Sequence, residues 1–336
     1  MQSFNFIIII SIFIILNLFL FFFHRKLTYI YNVQDYPNHK RKIHLKPVSL
    51  IGGLYFLINC SIFILIDVLG LSNISFVFNS NRELISLLIS LLSFFILGVL
   101  DDKYDLKPNV KLVISFIIVY FFINLNENFI IQELRTSFYT TIDLKSFSVM
   151  FTVFCILLFN NAINLFDGSN CQTLAYFFLA SILLFIINDS YYFLIFFVPV
   201  YVILFYLNYK NFLFLGNSGV NIISFLFFIF FIHNYQNEKI FSDEIFLIMI
   251  IPGLELVRIF FTRIKNGIHP FKSDDDHLHH YLLKIYGAGK TLIFLVLILT
   301  IPIIFFFSDI STLISLTTII WLYSVLVFLL KRKLIN

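Results

Sequence analysis

Two adjacent carboxylates, Asp101 and Asp102, stand at the end of an apolar run in Gly98-Val-Leu-Asp-Asp-Lys-Tyr-Asp105. Neighbouring carboxylates repel unless a cation neutralises them, and Lys103, Lys107 and Lys111 follow closely. Oxygen ligands of this kind suit Mg²⁺, which takes one or two carboxylates and completes its shell with water and substrate phosphate. A second cluster reads Asn160-Asn161-Ala-Ile-Asn164-Leu-Phe-Asp167-Gly168-Ser-Asn170. Asn160, Asn164 and Asp167 recur at i, i+4 and i+7 and so share a helix face, and Gly168 predicts the helix stop. Amides and a carboxylate on one stripe point to ligand binding rather than packing. A third, His269-Pro270-Phe271-Lys272-Ser-Asp274-Asp275-Asp276-His277-Leu-His279-His280, gathers three of the eight histidines within four residues. HxHH beside three aspartates suits a transition metal, or imidazoles that donate to a diphosphate; the residues alone leave both open.

Two further clusters are less specific. Asp35-Tyr-Pro-Asn-His-Lys40-Arg41-Lys42-Ile-His44 precedes Pro47 and Gly52-Gly53. Its cations suit an anionic headgroup or a lipid phosphate, although ordinary interfacial anchoring accounts for them too. The paired glycines predict close backbone approach. Phe214-Leu-Gly216-Asn217-Ser218-Gly219 opens another apolar run; a glycine-rich entry to a helix offers N–H groups to a phosphate.

The elements that must position these residues are membrane helices. Of 336 residues, 60% are hydrophobic and only 12% charged, where a soluble domain carries roughly a quarter charged. The class does not hang on any one of the 47 phenylalanines, because the runs are long enough to span on any scale. Eleven runs can be marked off, at 4–23, 48–70, 84–100, 110–125, 147–165, 173–188, 191–208, 218–233, 243–262, 290–307 and 309–330. Each is near the roughly 20 residues that cross hydrocarbon as a helix. Pro199, Pro252 and Pro302 fall inside three of them and predict kinks, not breaks. The first run lacks a preceding basic segment and a small-residue cleavage site, so it reads as a retained helix.

Alternating the loops puts 19 of the 23 Lys and Arg on one side, leaving Arg82, Arg135, Lys145 and Lys239 on the other. The positive-inside rule makes the rich side cytoplasmic, with the N-terminus outside and the C-terminus inside. All five polar clusters then face the cytoplasm. The outer segment 126–146 has β-branched residues in alternating stretches and predicts a small hairpin. Cys60, Cys155 and Cys171 are widely spaced and read as apolar filler. A transporter would hold its acidic groups near the midplane of matched halves, which the pattern does not show. The fold expected is an all-α polytopic membrane protein in a single domain, 1–336.

The order of the clusters resembles the superfamily of polyprenyl-phosphate N-acetylhexosamine-1-phosphate transferases. Its pattern runs D-x-P-x-x-R-K-x-H…GG, G-x-x-D-D, N-A-x-N-x-x-D-G-x-D, F-x-G-D-x-G and P-F-x-x-D-R-x-H-x-H-H. Here those motifs are matched by Asp35 to Gly53, Gly98 to Asp105, Asn161 to Asn170, Phe214 to Gly219 and Pro270 to His280. The resemblance is closer to the enzymes that initiate O-antigen or common-antigen synthesis than to the muramoyl-pentapeptide transferase.

It implies Mg²⁺-dependent transfer of a sugar-1-phosphate from a UDP-sugar to polyprenyl phosphate, with Mn²⁺ as a substitute cation and UMP as product. Asp101, Asp102 and Asn217 would face the metal. Asp101, Asp102, Asp167, His277, His279 and His280 would be catalytic. Lys40, Arg41, Lys42, His44, Lys111, Asn161, Asn164, Asn170 and Phe214 would bind substrate. The partners implied are the UDP-sugar, the lipid and the bacterial inner membrane, without nucleic acid; a homodimer stays open. Three positions depart from the pattern: Asn217 and Asn170 replace aspartates, and Asp275 replaces an arginine. The lost charge at Asn217 motivates a second reading, a catalytically weakened relative that binds lipid or nucleotide-sugar or scaffolds other enzymes.

Overall fold

Lipid offers no hydrogen-bond partner, so apolar runs of this length satisfy their backbone by coiling into helices. The computed structural model describes residues 2–37, 46–69, 78, 80–188, 191–267 and 276–335. Among them the first helices are α1 (Gln2–Phe22), α2 (His24–Tyr31), α3 (Gly52–Val68), α4 (Asn81–Tyr104) and α5 (Pro108–Leu125). Next come α6 (Ser148–Phe166), α7 (Gln172–Asn188), α8 (Tyr191–Tyr209) and α9 (Gly216–Gln236). The last are α10 (Ser242–Ile248), α11 (Ile250–Lys265), α12 (Leu278–Phe306) and α13 (Thr312–Ile335). Two short antiparallel pairs join them: β1 (Gln34–Asp35) with β2 (Val48–Ser49), and β3 (Glu133–Arg135) with β4 (Thr141–Asp143). The second is the hairpin expected in 126–146.

Among the described residues six helices, α4, α5, α6, α9, α12 and α13, are long and apolar enough to cross a membrane, and up to eight spans result if each of two bent pairs counts as one. Shorter apolar helices at Gly52–Val68, Gln172–Asn188 and Ile195–Tyr209 stand where three more runs were marked off. The protein is an all-α multi-pass membrane protein.

Helix α4 shows the design. Ile85, Ile89, Leu92, Ile96 and Leu100 form an exposed apolar row at helical spacing. The opposite face buries Ser86, Ser90, Phe94, Gly98 and Asp101. With Leu87, Leu91 and Leu97 also buried, the small and polar Ser86, Ser90, Gly98 and Asp101 lie on the protein side and the outer row is wholly apolar, the pattern of a helix solvated by lipid on one side. Ser80 caps its start by accepting from the Glu83 amide, and Asp105, at φ 48, closes its end.

Three boundaries differ from the sequence expectation. The first run bends by 67° after Phe22, and α2 follows as a separate helix. The run 243–262 is broken at Met249 by 73°, not merely kinked. Pro252 then lies in the first turn of α11, where a missing N–H costs no intrahelical bond. The histidine segment, expected as loop up to 290, is helical from Leu278, with a kink at Gly287, φ 74. Leu278, Tyr281 and Leu282 are buried at i, i+3 and i+4, an amphipathic stripe that the interleaved His and Lys conceal.

The chain divides into two compact units, Met1–Ile130 with Ala180–His233, and Ile131–Leu179 with Asn234–Asn336. In the first, Phe225 of α9 meets Phe94 of α4 at 5.1 Å and Phe122 of α5 at 5.3 Å between ring centroids. Asn17 of α1 donates to Asn59 of α3 at 2.7 Å, a buried polar tie between helices. In the second, Leu295 of α12 packs with Tyr323, Val327 and Leu330 of α13. There the hairpin is pinned by Arg135, whose amide donates to the Tyr235 hydroxyl at 2.7 Å and whose guanidinium donates to the Tyr235 carbonyl.

Candidate active site

In the first unit, three of the five sequence clusters come together. The segment after β2 lies along Leu213–Leu215: the Phe214 amide donates to the Ser49 carbonyl at 2.8 Å, and the Gly52 and Gly53 amides donate to the Phe214 and Leu215 carbonyls at 3.0 Å. A Cβ on Gly52 would fall 2.7 Å from the Phe214 carbonyl oxygen, so the paired glycines are there for space. Gly98 on α4 presses on the start of α9, where a Cβ would meet the Ser218 backbone and lie 2.7 Å from the Asn217 carbonyl carbon.

One turn past Gly98, Asp102 points the same way. Its Oδ1 accepts from the Asn217 amide at 2.9 Å. Its Oδ2, buried against the position of Gly216, has no hydrogen-bond partner. Ser218 Oγ is buried without a partner as well. The sequence suggested that the start of α9 offers its amides to a phosphate; the structure instead gives the Asn217 amide to a carboxylate of the chain itself.

Asp101 is placed differently. Its Oδ1 takes the Lys111 ammonium of α5 at 2.6 Å and the Leu106 amide at 3.1 Å. With Lys111 it fastens the turn between α4 and α5. Among the described residues no group of three His, Cys, Asp or Glu side chains could hold a metal alone. Mg²⁺ does not require one, because water and phosphate fill most of its shell.

The second unit unites the other two clusters. α6 ends at Phe166 with Asp167 at its C-cap, as Gly168 predicted. Along it Asn160 is buried and Asn164 exposed, while Asn161 donates to the Leu157 carbonyl of its own helix at 2.8 Å. Asn170 lies just beyond, in the turn before α7. Burial pushes the Asp167 carboxyl up to about 6, with the Thr173 hydroxyl pulling the other way. The His279 ring lies on the backbone of Gly168: a Cβ there would be inside the ring, 2.8 Å even from its Cδ2. His277, His279 and His280 are a tight trio, with centroids 5.1 Å apart from His277 to His279 and 4.3 Å from His279 to His280. His279 Nδ1 is buried with no partner.

Lys40, Arg41, Lys42 and His44 lie outside the described residues, as does Asp275. Sequence reasoning missed buried Glu255 and half-buried Arg258, a pair on α11 that reaches the histidine helix. The available signal was a Glu and an Arg three residues apart inside an apolar run, rare enough at membrane depth to be informative.

Comparison with known proteins agrees with this picture. Residues 84–235 match the model of glycosyl transferase family 4. The chain is also similar to the undecaprenyl-phosphate alpha-N-acetylglucosaminyl 1-phosphate transferase of Escherichia coli O157:H7. The two are 26% identical over 306 residues, which cover 84% of this chain and 77% of that protein. Both findings support the polyprenyl-phosphate hexosamine-1-phosphate transferase superfamily.

Proposed function

We propose that the protein transfers an N-acetylhexosamine-1-phosphate from a UDP-sugar to polyprenyl (undecaprenyl) phosphate and releases UMP, as the initiating step of a cell-surface glycan. The observation that carries this is Asp102: a carboxylate fixed by the Asn217 amide, with its second oxygen buried and unpartnered. A buried anion with an unused oxygen is costly unless a ligand completes it. The name of the similar transferase carries undecaprenyl phosphate and an N-acetylglucosaminyl 1-phosphate group, which supports the acceptor and the transferred group of this reading. In the same proposal the chain crosses the bacterial inner membrane eleven times, with its N-terminus outside and the site on the cytoplasmic face.

The reaction joins an oxygen of the lipid phosphate to the β-phosphorus of the UDP-sugar. The bond from that phosphorus to the bridging oxygen breaks, and UMP leaves with the electron pair. No covalent enzyme chemistry is needed, so positioning and charge neutralisation do the work. Asp102, Asp101 and Asn217 fit Mg²⁺, with Asp102 Oδ2 as the free anionic ligand, Asp101 shared with Lys111, and Asn217 offering an amide oxygen. When bound, the cation neutralises the diphosphate oxygens. Asp102 also orients the lipid phosphate. Asp167 and the imidazoles of His277, His279 and His280 hold the nucleotide-sugar, with Asn161, Asn164 and Asn170 contributing amide groups. The basic segment at Lys40, Arg41, Lys42 and His44 receives the lipid phosphate.

The test is the full-length protein in nanodiscs with polyprenyl phosphate, Mg²⁺ and a panel of UDP-N-acetylhexosamines. UMP and a lipid-linked sugar should form, both should stop on chelation and return with Mg²⁺ or Mn²⁺, and Asp102→Asn should abolish them. No product from any donor would refute the proposal. Asn217 favours one other reading, a catalytically weakened relative that binds lipid or nucleotide-sugar. Asn217→Asp discriminates: a rise from no turnover to measurable turnover supports that reading, and an unchanged or lower rate supports the first.

A further inference from the structure

The first turn of any helix has backbone N–H groups without intrahelical partners. On α12 the N-cap is His277, and its side chain makes no capping bond. The Leu278 amide donates across to Glu255 Oε1 of α11 at 2.6 Å. Glu255 is only 1% exposed, and its other oxygen is also saturated. Oε2 accepts from Arg258 Nε at 3.0 Å and Nη2 at 2.7 Å, and from the Tyr323 hydroxyl of α13 at 2.6 Å.

The same arginine continues the chain of contacts. Arg258 Nη1 reaches Asp276 Oδ2 at 3.2 Å, and Nη2 donates to the Asp276 carbonyl. Lys331 of α13 pairs with Asp276 Oδ1 at 2.9 Å. The Tyr281 ring lies near both cations, 5.8 Å from the guanidinium and 5.5 Å from the ammonium. One buried carboxylate therefore ties α11, α12 and α13 together at the residue where the histidine helix begins.

We infer that Glu255, held by Arg258 and Tyr323, is a positioning residue that fixes the start of α12 and thereby seats His279 on the Asp167–Gly168 turn. The apolar surroundings of α11 could have been filled by a leucine at far lower desolvation cost; the carboxylate earns its place by direction. Helix packing alone leaves α12 free to slip or fray at its first turn, whereas a bond from Leu278 sets both its start and its rotation. His279 follows Leu278 by one residue, so error at the cap passes directly to the ring. The inference rests on the transferase reading for its catalytic consequence and on geometry alone for its structural one.

The experiment uses the full chain in nanodiscs and two readouts. Hydrogen exchange of residues 278–282 and diethylpyrocarbonate labelling of His279 report the cap; UMP release from the UDP-sugar donors reports the consequence. Glu255→Ala should raise exchange and labelling at least tenfold and lower turnover about 100-fold, as misplacement near 1 Å does. Glu255→Gln keeps an acceptor for Leu278 and should recover much of the protection. Should Glu255→Ala fail to fold, Tyr323→Phe, which deletes one donor to Oε2, should give a smaller change of the same sign. Unchanged exchange and labelling in Glu255→Ala, or in Tyr323→Phe where that variant replaces it, would overturn the inference; so would loosened labelling with full turnover. A wild-type chain that releases no UMP counts against the transferase reading and leaves the exchange and labelling to decide the cap.

Discussion

Gly98 is where the fold and the candidate site are most tightly linked. It lies one turn before Asp102 on the same face of α4, and it permits α4 to touch the first turn of α9. In Gly98→Ala the new Cβ would lie 2.7 Å from the Asn217 carbonyl carbon and closer still to Ser218. Ordinary contact begins at 3.4 Å, so backbone must yield by more than about 0.7 Å, and no side-chain rotation can help. If that movement passes to Asp102, its 2.9 Å bond to the Asn217 amide stretches beyond the ~3.5 Å limit of a hydrogen bond. Overpacking costs about 1–3 kcal/mol, and loss of a charge-assisted bond about 1.5–3 kcal/mol. The gain in helix propensity from Gly to Ala returns only about 1 kcal/mol. Gly253 of α11 is the control, because a Cβ there meets nothing within 4 Å; Gly253→Ala should be neutral or stabilising by up to about 1 kcal/mol. Thermal unfolding in detergent and UMP release should separate the two, with Gly98→Ala less stable and at least ~100-fold slower. Equal stability and turnover in Gly98→Ala and wild type would refute the reasoning.

Lys111→Met strands Asp101, whose side chain is only 4% exposed, and should destabilise by about 1–3 kcal/mol; an unchanged melting temperature would mean that the pair holds nothing. Gly168→Ala should push the His279 ring off its seat and increase its chemical labelling, and labelling equal to wild type would contradict the placement. The Asp167 carboxyl, raised to about 6, keeps its proton in the folded chain at pH values where the unfolded chain has released it. Its contribution to stability is therefore greatest below pH ~4 and falls as pH rises through 6. Asp167→Asn should melt with wild type at pH 4 and above it at pH 8, by up to ~3 kcal/mol; a constant difference across that range would be inconsistent with the shift.

Much of the architecture was legible because membrane helices are written in long, simple runs. The exposed row from Ile85 to Leu100 needs no tertiary information, and the hairpin at 133–143 follows from alternation and β-branched residues. Breaks were harder to see. Met249 and Phe23 are ordinary apolar residues, so nothing local marks the bends they introduce. The start of α12 was hidden by a different cause: His279, His280 and Lys284 dilute an amphipathic stripe whose buried members are Leu278, Tyr281 and Leu282. At the site, glycine pairs and adjacent aspartates were readable as chemistry, and the structure joins Gly52, Gly98, Asp102 and Asn217 in the first unit. The division of labour between the two aspartates was not readable, since identical neighbours in sequence differ only in what α5 and α9 bring to them. Glu255 was equally hidden, because its partner is a backbone amide 23 residues away, and main-chain groups leave no trace in residue type.

The central claim is that phosphorus travels with the sugar. A UDP-N-acetylhexosamine labelled at its β-phosphorus, offered with polyprenyl phosphate to the reconstituted protein, tests it directly. The label should appear in a lipid-linked diphosphate sugar, with unlabelled UMP released in equal amount. Label recovered in UDP, with the sugar alone on the lipid, would contradict the account.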